Sequence, residues 1–160
     1  MTFATKPELA QRMLERTLDS GLPVAWVAGD TVYWEFAETA SQFGDSQAGI
    51  CAGSSPASEH VEVQGNRKRV DQVARELARE DWQELSAGTG SKGPRLFAWA
   101  RIELVAPETS GWQRWLLVRR SLDEGTKPAD MAYVLVFAPA DTSLEEIVEA
   151  FGALDRRAVF

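Results

Sequence analysis

The spacing of apolar and polar positions divides the chain into elements. Leu9, Met13, Leu14 and Leu18 recur every three to four residues between Lys6 and Ser20, with Pro7 in the first turn and Gly21 as a stop. That pattern predicts a helix. Gly21-Leu-Pro leads directly into Val24–Gly29, where apolar or small residues follow one another without alternation. Such a run predicts a short strand buried on both faces. A helix, a tight turn and a buried strand make half of a βαβ unit, so a parallel sheet is expected here. The run stops at Asp30.

Periodicity is then lost. Ser41 to Ser58 is rich in Gly, Ser and Ala, and residues 41–66 are expected to be a poorly ordered linker. It returns with Val70, Val73, Ala74, Leu77, Ala78 and Trp82 on one face of a predicted helix that ends at Leu85-Ser-Ala-Gly. Strands are predicted at Leu96–Ala106, Trp115–Arg120 and Ala132–Ala138. Turn signals at Pro107–Gly111 and Asp123–Pro128 make them an antiparallel meander. Trp99, Trp112 and Trp115 cluster around this meander, and core packing is their default role. Thr142-Ser-Leu-Glu-Glu is an N-cap signature for a closing helix from Leu144 to about Leu154. The fold class is α+β.

Composition narrows the function classes. With 160 residues, 44% apolar and 26% charged, the chain has the make-up of one soluble globular domain. No apolar run reaches the length of a membrane span, and Met1–Glu8 has no secretion-signal pattern. Cys51 and His60 are each single, which excludes an internal disulfide and argues against structural zinc; a cytoplasmic setting is expected. The net charge is −7, but Val61–Arg120 holds eleven Lys/Arg against eight Asp/Glu. Only this middle stretch is suited to a phosphate backbone.

Candidate chemistry starts with Asp30. A carboxylate at the end of a strand is solvated, paired or bound to a cation, or it caps the next turn. Gly88-Thr-Gly-Ser-Lys-Gly93 matches the spacing of the dinucleotide fingerprint, but it follows a predicted helix and opens a strand, the reverse of the context that fingerprint needs. What remains is a loop whose Lys92 and Arg95 can reach phosphates. Arg119 and Arg120 end a strand, so their side chains are expected on opposite faces. Glu145, Glu146 and Glu149 form a carboxylate row whose default is a solvated helix face.

With these pieces in order, the chain resembles part of an insertion-sequence transposase of the DDE superfamily. The resemblance rests on Met13-Leu-Glu-Arg, Pro23–Tyr33, Trp82–Ala100, Trp112–Leu122 and Ala132–Leu144, in the family's order. It implies a partial RNase H-like α/β core at residues 1–40, the linker at 41–66, an antiparallel β-rich insertion at 67–143, and a C-terminal helix and tail at 144–160. It also implies three carboxylates holding Mg²⁺ or Mn²⁺ for in-line attack on a DNA phosphodiester. Asp30 matches the second of the three, a catalytic and metal-binding position. Lys92, Arg95 and Arg119 are the candidate DNA contacts, and transposon ends or an intact transposase the implied partners. The first carboxylate lies upstream of anything in this sequence. After Tyr33 the family continues with Gly, a basic helix and another core strand, where this chain has Trp34. Glu145 and Glu146 come too early for the third carboxylate. The expectation is a truncated, degenerate transposase that is inactive alone. The alternative is a non-catalytic protein that binds DNA or a transposase, which requires Arg67, Lys68, Arg69, Lys92, Arg95 and Arg119 to share one face.

Overall fold

The computed structural model describes residues 5–29, 49–55, 57–105, 111–122 and 131–155. Helix α1 (Lys6–Asp19) comes first, followed by strands β1 (Trp26–Gly29), β2 (Gly49–Ser55), β3 (His60–Val63) and β4 (Asn66–Arg69). Helix α2 (Val70–Arg75) and a 3-10 turn (Arg79–Asp81) lead into β5 (Gln83–Gly90), β6 (Gly93–Leu104), β7 (Trp112–Ser121) and β8 (Met131–Pro139). Helix α3 (Leu144–Asp155) follows. The fold is α+β.

One six-stranded sheet, ordered β1-β2-β8-β7-β6-β5, organises the described residues. β1 and β2 are parallel, in the register Trp26 with Gly49 through Gly29 with Ala52. The other pairings in this sheet are antiparallel; β6 to β8 form the expected meander, and β5 adds a fourth strand to it that was not expected. The sheet draws strands from residues 1–40, 41–66 and 67–143 alike, so it runs across the divisions expected from the sequence.

Both faces of the meander are covered, because side chains alternate along each strand. On one face Trp99, Trp115, Leu117, Val134 and Val136 pack against Leu144, Ile147 and Val148 of α3. On the other, Leu104, Leu116, Val118, Tyr133 and Leu135 pack against Val61 of β3 and Val70, Val73 and Ala74 of α2. Each large side chain taken fully out of water in this way contributes about 2 kcal/mol. Trp99 and Trp115 are core residues, as their default predicts, and the Trp99 indole Nε1–H donates to the Leu85 carbonyl at 3.2 Å. Trp112 stacks on Phe137 with ring centroids 5.0 Å apart.

Three local expectations are corrected. Val24–Gly29 is not a strand buried on both faces: its strand portion, β1, is at the edge of the sheet among the described residues, and none of its four residues is fully buried. The stretch expected to be poorly ordered, 41–66, contains β2, β3 and the turn into β4. The β3–β4 hairpin turns at Gln64 and Gly65, both at positive φ (50° and 76°), as a tight two-residue turn requires. Finally, the helix expected to reach Trp82 stops at Arg75, and Gln83–Gly90 is a strand. Leu77 and Trp82 still pack on the core that the predicted helical face shares, but the chain reaches it through the 3-10 turn. Asp81 fixes that turn by accepting the Ala78 backbone N–H at 2.8 Å.

Close backbone approach explains two glycines. A Cβ on Gly49 would overlap the Trp26 indole across the parallel pair. One on Gly152 would overlap the Ala87 carbonyl, where α3 lies directly on β5. The Gly88–Gly93 stretch belongs to the β5–β6 hairpin, with Gly90 opposite Gly93 and Ser91-Lys92 at the turn. It therefore has no helix N-terminus to offer a pyrophosphate.

Candidate functional site

Asp30 lies outside the described residues, as does the stretch that follows it to residue 48. The strand before it is described. Gly29 at the end of β1 pairs with Ala52, which pairs in turn with Leu135 in the middle of β8. The beginning of β1 faces the other way, towards α3. A cavity of about 610 Å³ opens there, lined in part by Val24, Trp26, Gly49, Asp141, Glu146 and Glu149. The α3 carboxylates at this cavity thus belong to the start of β1, whereas Asp30 follows its last residue.

Glu146 is already engaged at that position. It completes a capping box in which its carboxylate accepts the Ser143 backbone N–H at 2.8 Å, and its own N–H donates to Ser143 Oγ at 3.2 Å. The hydrogen bond from the Ser143 backbone, then that from its side chain, hold the Glu146 carboxyl below the usual range. The N-cap signature read in the sequence is therefore what Glu146 serves. Among the described residues, no group of three His, Cys, Asp or Glu side chains stands close enough to hold a metal ion. His60 is an exposed residue at the start of β3.

The basic candidates go to different places. Lys92 is exposed at the tip of the β5–β6 hairpin. Arg95 projects onto the α3 side of the sheet, where Nη2 donates to the Ala87 carbonyl at 2.7 Å and the Gly152 carbonyl at 3.1 Å. Arg119 lies on the same side, its guanidinium 4.6 Å from the Phe97 ring centroid and 5.9 Å from that of Phe151. Arg120 points the other way, 4.2 Å from the Trp82 ring, so the expected divergence of the Arg pair holds. Arg101, which the sequence did not single out, donates to the Thr142 carbonyl at 2.6 Å just before α3 and lies over Trp115. Together Arg95, Arg101 and Arg119 attach α3 to the sheet near both helix ends.

The remaining basic cluster sits on the opposite layer. Arg69 pairs with Asp71 at 3.0 Å, Arg75 reaches the same carboxylate at 2.6 Å, and Lys68 pairs with Glu76 at 2.6 Å. Asp71 is only 8% exposed, so its two arginine partners supply the compensation that a buried charge needs. Burial, and then the Asp71 charge, push the Tyr133 hydroxyl pKa up. The six residues whose convergence would build a DNA-binding face are thus divided between the two sides of the sheet and the hairpin tip: Lys68, Arg69, Arg95 and Arg119 are each engaged within the fold, Arg67 is exposed on β4, and Lys92 stands at the β5–β6 turn.

No signal in the sequence could have disclosed the cavity. Its walls come from residues 24–26, 49 and 139–153, and the sheet pairing alone brings them together. No family model matches the chain, and neither does any curated protein or solved structure. What the fold defines is a class: an α+β domain with a mixed six-stranded sheet and a helical layer on each side.

Proposed function

We propose that this chain is a piece of DDE-superfamily transposase architecture that does not cut or join DNA by itself. The observation that carries the reading is the parallel pairing of β1 with β2. The resemblance calls for a second core strand after the one that ends at Asp30, and a parallel neighbour needs a long crossover, which residues 30–48 are numerous enough to supply. In this reading β1 and β2 are core strands of an RNase H-like unit, and β5–β8 descend from the β-rich insertion.

Inactivity follows from the ligand set. Asp30 is the one carboxylate of the three that this sequence matches, while Glu146 of α3 serves the helix cap and Glu146 and Glu149 line the cavity at the start of β1. A single carboxylate binds Mg²⁺ weakly and does not position two ions. Were a fuller set present, the ions would activate a water or a 3′-hydroxyl and stabilise the charge that develops in phosphodiester attack. Calorimetric titration with Mn²⁺ tests the reading: no saturable binding in the micromolar range is expected. Micromolar binding that disappears in Asp30→Asn would show a working metal site and overturn it.

A further inference from the structure

We draw no further inference here: the strongest candidate, the cavity of about 610 Å³ between the start of β1 and α3, has as its polar side chains Thr142, whose hydroxyl already donates to the Pro139 carbonyl, and exposed carboxylates such as Glu146 and Glu149, and nothing in the structure points to a ligand for them.

Discussion

Strands β8 and β1 read alike as sequence, each an unbroken apolar run, yet they are built into the sheet differently. β8 lies between β2 and β7, with α3 on one face and the α2 layer on the other, and every residue from Tyr133 to Ala138 is buried. Among the described residues β1 is an edge strand, in which Ala28 is exposed and the other three residues are only half-buried. The helices repeat the contrast. Ile147 and Val148 of α3 are buried, whereas no described side chain of α1 is, and Leu9 and Met13 are 49% and 62% exposed. An apolar run records what a segment can bury; the neighbouring layers decide whether it does.

The largest expected effect separates the two regions directly. Trp99→Ala removes a fully buried indole from beneath α3 and should cost about 4 kcal/mol in denaturant unfolding. Met13→Ala, on the open face of α1, should change stability by less than about 0.5 kcal/mol. Comparable losses at both positions would mean that α1 is packed as tightly as α3.

A second pair applies one substitution to both regions. Gly152→Ala drives a methyl into the Ala87 backbone, which cannot turn aside, and should cost about 3 kcal/mol. At Gly49 the obstacle is the Trp26 side chain at the sheet edge, so Gly49→Ala should cost about 1 kcal/mol. Thermal unfolding of the two variants should rank them in that order, and the reverse order would place the rigid contact at the β1 end.

The smallest effect uses the helix caps. Thr5 and Glu8 cap α1 with the same box that Ser143 and Glu146 make on α3. Hydrogen bonds from Thr5, first through its backbone, lower the Glu8 pKa, as those from Ser143 lower that of Glu146. A carboxyl whose pKa is lower in the folded state stabilises above its ordinary value, 4.5, and that contribution disappears as pH falls through the folded value. Below pH 4.5 both caps therefore weaken. Residue-resolved NMR should show α1 fraying first, since α3 keeps its packing, and simultaneous fraying would contradict the contrast.

Much of the scaffold is legible in the sequence. β6, β7, β8 and α3 follow from apolar runs and a cap signature, because local pattern and tertiary position agree there. β5 is not legible: Ser86, Ala87, Gly88 and Thr89 carry little apolar signal, and Ala87 is buried by α3 rather than by its own neighbours. The β3–β4 hairpin was signalled by the Val61 and Val63 alternation and by Gly65, a pattern masked by the irregular residues before it. Of the candidate site, Arg95 and Arg119 look like surface cations in the sequence. Their roles depend on partners far along the chain, such as Gly152, 57 residues from Arg95.

On the proposed reading the scaffold is assembled, while the set of metal-binding carboxylates is incomplete. Incubating the purified protein with supercoiled plasmid and Mn²⁺ measures this most directly. The plasmid is expected to stay supercoiled, with Asp30→Ala indistinguishable from the unaltered protein. Mn²⁺-dependent nicking or joining that is lost in Asp30→Ala would contradict it.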